Sequence, residues 1–151
     1  MGLRRIAGLV AALACAVASA NEAMAQTTMS PAGAAAMRVL DEQLSAYNAS
    51  DKQAFLITLH FPHVRIAGNN VRVYPNAQSY LPELSMKQIG WDYARWTDRK
   101  IVRDSATKVH VAATFTRFLA NGRAVDSFEG LYIIALKGGR WGVLARSSYA
   151  P

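Results

Sequence analysis

Cysteine is almost absent from this sequence. One residue, Cys15, stands among 151, which excludes a disulfide framework, a CxxC redox pair and a Cys-rich zinc site. Charge is sparse as well: 18% of residues are charged against 52% apolar. That balance is too hydrophobic for a disordered chain and sufficient for a buried core. Acids are scarcer than bases, 10 against 17, and none follows Glu129. No apolar run is long enough to cross a bilayer comfortably, and there is no internal repeat or low-complexity linker. The length fits one domain rather than two.

What is present begins with an address. Arg4 and Arg5 form a positive head, Ile6 to Val17 a short apolar middle, and Ala23-Met24-Ala25 a small-residue cleavage site. This order is that of an export signal, so residues 1–25 are expected to be removed. Ala18-Ser19-Ala20 offers a second site. Ile6-Ala7-Gly8 adds little to a twin-arginine reading, and Ala12-Leu13-Ala14 before Cys15 is a poor lipoprotein match. Cleavage after Ala25 discards the cysteine and leaves net charge +6 from 15 basic and nine acidic residues. The expected location is periplasmic or secreted, with no transmembrane helix once the signal is gone.

After a short lead-in over 26–30, Ser30-Pro31 reads as a helix start, a capping hydroxyl followed by proline. Met37, Leu40, Leu44 and Tyr47 recur at helical spacing beside Val39, and Asn48-Ala49 ends the run. Ser50-Asp51-Lys52-Gln53 fits a capping box opening a second helix with Phe55, Leu56 and Leu59. Phe61-Pro62 breaks that pattern. His63 to Ala67 and Val71 to Tyr74 read as strands around a Gly68-Asn69-Asn70 turn, and Pro75-Asn76 opens another helical stretch that Gly90 stops. Four strand-like runs follow: Trp91–Arg103, Lys108–Leu119, Val125–Leu136 and Trp141–Tyr149. Asn121-Gly122 and Gly138-Gly139 between them are hairpin dipeptides. Helices followed by a long meander predict an α+β domain over 31–151. The helices would cover the concave face of a curved, mainly antiparallel sheet and leave a cone with a small-molecule pocket.

With these elements placed, the chain resembles the NTF2-like superfamily in its SnoaL-like, ketosteroid-isomerase-like branch. The resemblance rests on the helix end Tyr47-Asn48-Ala49-Ser50-Asp51, the strand start from Leu59 to Ile66, and the closing Gly139-Arg140-Trp141-Gly142-Val143 strand. It spans about residues 31 to 150. It implies a cone-shaped fold and a homodimer. It also implies where catalytic groups would stand: a helix tyrosine at Gln43, an aspartate base near Ala67 and a protonated aspartate near Leu131. None of the three is present, and proton abstraction beside a carbonyl needs a base within reach. The absence of acids after Glu129 counts against the cyclase and epoxide-hydrolase branches in the same way.

Several residues remain as candidates. His63 and Arg65 share one strand face, and the resemblance makes it the pocket side. His63 would act as general acid/base or donor, and Arg65 would anchor an anion or carbonyl; the plainer alternative leaves both solvated or paired at the rim. Glu129, between Phe128 and Gly130 and near Leu131 and Ile133, is expected to be partly buried, either as a pocket acid or in an ion pair with Arg65, Arg117 or Arg146. Tyr47 aims its hydroxyl at the pocket, and Thr114 and Thr116 alternate on one face and could line it. His60-x-x-His63 lacks a third ligand, so neither a metal nor another cofactor is expected. Ser147-Ser148 lacks a G-x-S-x-G elbow, which excludes a hydrolase triad. Arg95, Arg99 and Arg103 recur every fourth residue and should form one basic stripe, a solvated face rather than a nucleic-acid surface.

Together these residues predict an exported small-molecule binding domain. Its ligand, hydrophobic or weakly anionic, would meet Gln43, Tyr47, His63, Arg65, Thr114, Thr116 and Glu129. The alternatives are an isomerase-, cyclase- or dehydratase-type enzyme using His63, Arg65 and Glu129, and a non-catalytic dimeric interaction domain.

Overall fold

The computed structural model describes residues 29–86 and 90–149. The export signal over 1–25 and the lead-in up to residue 28 lie outside them. Helix α1 spans Pro31–Asn48 and α2 Lys52–Ile57. Strand β1 (Leu59–Ala67) and β2 (Asn70–Tyr74) follow, then a one-turn helix α3 (Ala77–Tyr80) running into a 3-10 turn at Leu81–Glu83. Strands β3 (Tyr93–Asp104), β4 (Lys108–Phe118), β5 (Ala124–Lys137) and β6 (Arg140–Ser148) follow. They form one curved, unclosed sheet in the order β2-β1-β6-β5-β4-β3. Among the described residues only the β1–β6 pairing is parallel.

Local chemistry sets the helix ends. Ser30 Oγ accepts from the Gly33 amide at 2.9 Å with Pro31 at the first helical position, which satisfies an otherwise orphan donor. The second cap sits one residue later than the capping-box reading. Asp51, not Ser50, accepts from Ala54 N at 2.9 Å, while Ser50 takes a left-handed φ of 57° in the connection. Asp51→Ala is expected to lower stability by about 1 kcal/mol in urea unfolding. An unchanged midpoint would mean that the cap contributes nothing.

The buried stripe of α1 is built from small residues, Gly33, Ala35, Ala36 and Ala46, around Val39, Leu40 and Gln43. Met37, Leu44 and Tyr47 flank it, half-buried. Small side chains let the helix lie close to the sheet. A Cβ on Gly33 would meet Ile101 Cδ1 at 2.6 Å. Leu40, Val109, Val111, Ile134 and Val143 form the fully enclosed centre of the core. Asn48 fixes the far end of the helix to β3, donating to Ala94 O at 3.0 Å and accepting from Ala94 N at 2.8 Å.

Bulges help set which residues face inward. Thr97 and Val102 are extra residues in β3 relative to β4, and Leu144 is extra in β6 relative to β5. A bulge inverts the alternation beyond it. The expected basic stripe is therefore not one face. Arg95 lies over the rings of Tyr93 and Phe118, at 5.0 and 5.9 Å. Arg99, past the Thr97 bulge, turns in to α1 and donates to Asp41 at 2.6 Å.

Candidate functional site

Between α1 and the inner face of the sheet lies a cavity of about 250 Å³. Gln43, Leu44 and Tyr47 of α1 form one wall, and Tyr80, Glu83 and Leu84 close another. The sheet supplies the floor in register. Arg65 of β1 pairs with Arg146 of β6, and Arg146 with Tyr132 of β5. One strand step further out, Ser148 is opposite Gly130, and Phe115 of β4 is opposite Phe128. A side chain at 130 would collide with the Ser147 carbonyl, at 2.8 Å from an added Cβ, so glycine there keeps the floor open.

Three guanidinium groups reach this cavity, those of Arg65, Arg117 and Arg146. Arg117 is already neutralised. It donates to Asp126 Oδ2 at 3.4 Å and to the Tyr47 hydroxyl at 3.3 Å. Trp91, Phe115 and Phe128 surround it with ring centroids 5.3–5.8 Å away, and Tyr47 stacks flat on Trp91 at 5.4 Å. Arg65 and Arg146 are different: among the described residues neither has a carboxylate partner. Burial opposes the charge on Arg146, but the phenol oxygens of Tyr132 and Tyr80 outweigh it and hold the guanidinium protonated, with Arg146 hydrogen-bonded to Tyr132. Arg65 Nε, Arg117 Nε and Ser148 Oγ are buried without a hydrogen-bond partner among the described residues.

Carboxylates are poorly placed to balance this charge. Glu83 borders the cavity, but it is paired with Arg72 and accepts from the Tyr74 hydroxyl at 2.9 Å. Glu129 touches the rim and is exposed. Its cross-strand partner is Thr114, while its neighbours Phe128 and Gly130 pair with the inward Phe115 and Ala113. Alternation thus puts the Glu129 side chain on the outer face, correcting the expectation that it is partly buried. Thr114 and Thr116 share that outer face and do not line the cavity. Thr116 is hydrogen-bonded to Thr97 and Ser127, both at 2.7 Å.

His63 lies beneath the cavity, in a recess of about 10 Å³ that Gln43, Tyr80, Tyr132 and Arg146 also border. Its Nδ1 donates to the Val143 carbonyl at 3.2 Å. Burial, with help from the fields of Arg146 and Arg65, pushes its pKa down to about 4, so the ring is neutral near pH 7. His60 is committed elsewhere. Its Nε2 donates toward the carbonyls of Ala135 and Arg140 at 3.0 and 3.1 Å, and its Nδ1 accepts from the Arg140 guanidinium at 3.1 Å.

Of the residues singled out in the sequence, Gln43, Tyr47 and Arg65 meet at the cavity, Glu129 touches its rim and His63 sits under it. Tyr80 and Tyr132 are site residues that sequence reasoning did not single out, and Arg146 entered it only as an ion-pair partner for Glu129. Strict alternation from the buried Val143 would turn Arg146 outward; the Leu144 bulge turns it in.

No family profile matches the chain, and no curated protein matches it. Solved structures do. An NTF2-like protein of unknown function from Pseudomonas putida KT2440 is 10% identical over 76% of this chain and 83% of its own, with a TM-score of 0.63. An NTF-2 like protein of unknown function from Shewanella oneidensis MR-1 is 14% identical over 74% and 93%, at 0.60. A ketosteroid isomerase-like protein from Erwinia carotovora atroseptica SCRI1043 is 19% identical over 78% and 96%, at 0.57. The protein thus has the NTF2-like fold, an α+β cone with a pocket. No helix among the described residues is long and apolar enough to cross a membrane.

Proposed function

We propose that the protein binds a small organic monoanion, a carboxylate on an apolar or aromatic body, in the cavity between α1 and the sheet. One observation carries this reading: Arg65 and Arg146 stand side by side in register on β1 and β6 without a carboxylate partner among the described residues. Cationic groups taken from water call for an anion, and a carboxylate matches the planar donor fork of a guanidinium. Leu44, Trp96, Phe115 and Phe128 supply apolar wall for the body of the ligand. The volume is at the small end for ligand pockets and suits a molecule the size of 3-phenylpropionate. Arg117 already has Asp126, which favours one negative charge over two.

Binding is favoured over catalysis because a base is wanting among the described residues. Glu83 is engaged by Arg72 and Tyr74, His63 is buried and poorly basic, and Glu129 belongs to the outer face. The open cavity also favours a ligand over an interaction domain that fills its pocket with its own aromatics.

We also propose export with cleavage after Ala25, on the strength of the charged head, apolar middle and A-x-A site, and a homodimer. Leu131, exposed on the outer sheet face, is consistent with a partner there. Native mass spectrometry of the protein from its export compartment tests both; chains beginning at Gln26 and paired as dimers are expected. The ligand is tested by calorimetric titration with 3-phenylpropionate and its neutral amide. The acid should bind at least about tenfold more tightly, the value of one charge-assisted hydrogen bond. Equal affinities, or no binding of either, would overturn the anion reading.

A further inference from the structure

We propose that Gln43 makes the cavity selective for 2-hydroxycarboxylates, by presenting a fixed hydrogen-bond acceptor beside the guanidinium of Arg146. The inference rests on the carboxylate reading above and names its ligand more closely.

A chain of hydrogen bonds fixes which end of the Gln43 amide faces which way. The Thr58 hydroxyl is 2.6 Å from the Phe55 carbonyl. A carbonyl only accepts, so the hydroxyl donates its one proton there. Thr58 Oγ1 then has only lone pairs to offer Gln43, whose side-chain nitrogen lies 3.2 Å away. The amide nitrogen must be the donor, and Oε1 is the end left over. Both side chains are enclosed, Gln43 at 5% and Thr58 at 6% exposure, so the orientation is held by packing as well as by bonding.

Among the described residues no donor bonds Gln43 Oε1. Gln43 borders the cavity and also the narrow recess under it, and Arg146 borders both. The recess holds about one water's volume, so the two side chains border the same small space. A carboxylate held by Arg146 would then turn its adjacent carbon toward Gln43. The amide oxygen offers that carbon an acceptor, and a hydroxyl there supplies its donor. An ammonium at the same place would also donate, but it would stand in the field of Arg65 and Arg146. The charge around the site thus favours the hydroxy acid over the amino acid.

The test compares 3-phenyllactate, 3-phenylpropionate, 2-methoxy-3-phenylpropionate and phenylalanine in calorimetric titrations of the full folded protein. Phenyllactate should bind about tenfold more tightly than each of the others, because it alone pairs a donor with an uncharged substituent. If the phenylpropionate, methoxy and hydroxy acids bind equally, the Gln43 inference is overturned and the carboxylate reading stands. Tighter binding of phenylalanine also overturns it. If no acid binds, both readings fall together. Gln43→Met should bring phenyllactate down to the level of phenylpropionate. Thr58→Val, which frees the amide to turn over, should blunt the same preference without removing Gln43. A preference that survives undiminished in either folded variant would overturn the proposal.

Discussion

Arg146→Met is expected to weaken carboxylate binding by about 100-fold and to leave the protein about as stable as before. The two halves have one cause. Arg146 is enclosed between Tyr80, Tyr132 and Arg65 with no carboxylate partner among the described residues. Removing a buried charge that faces a bound anion forfeits a charge-assisted contact of several kcal/mol. In the empty protein the same charge is desolvated, and its tyrosine partners offset that cost. Methionine keeps the length of the stem and removes the cost and its offset together, so stability should change by less than about 1 kcal/mol.

Arg117→Met should behave in the opposite way. It strands Asp126, whose Oδ1 already lacks a partner, and it empties the centre of the Trp91–Phe115–Phe128 cluster. It should therefore be destabilising, with the smaller effect on ligand. Calorimetric titration and urea unfolding of the two variants measure both signs. An Arg146→Met protein that binds 3-phenylpropionate like the parent, or that loses more than about 2 kcal/mol of stability, would show that Arg146 is structural.

Much of the architecture is legible in the sequence because local signals carry it. Ser30-Pro31 marks the start of α1, and the Asn121-Gly122 and Gly138-Gly139 dipeptides set the last two hairpins. The β4, β5 and β6 boundaries fall within a residue of the expected runs. Facing is harder. Strand β5 is apolar on both sides near its middle, so Leu131 and Ile133 look as much like core as Tyr132 and Ile134. The structure buries the second pair, which sends Glu129 to the outer face with Thr114 and Thr116. The bulges at Thr97 and Leu144 have no composition signal, yet they part Arg95 from Arg99 and turn Arg146 inward. What decides the site is therefore cross-strand register, a long-range property. Alternation along a single strand does not encode it.

Register also isolates His63, and the consequence is a pH dependence of stability. Its ring is 2% exposed, packed edge-on against Tyr80 at 5.5 Å, under Arg146 and Arg65. Burial, then the nearby arginines, lower its pKa from 6.5 to about 4 in the folded state. An unfolded chain restores the ordinary value. Between these two values the unfolded state holds more protons than the folded one, so stability rises with pH. The contribution is complete above about pH 6.5 and is lost as the pH falls toward 4. The shift corresponds to about 3 kcal/mol, a large part of the stability of a domain this size. His60, lowered chiefly by burial and then by Arg140, acts in the same sense. Urea unfolding from pH 7.5 to 4 should show the decline, and His63→Gln should remove most of it while keeping a donor for the Val143 carbonyl. Saturating 3-phenylpropionate should also flatten the curve, because a bound carboxylate offsets the arginine fields that disfavour the imidazolium. A His63→Gln protein whose stability falls as steeply as the parent's would assign the pH dependence to other groups.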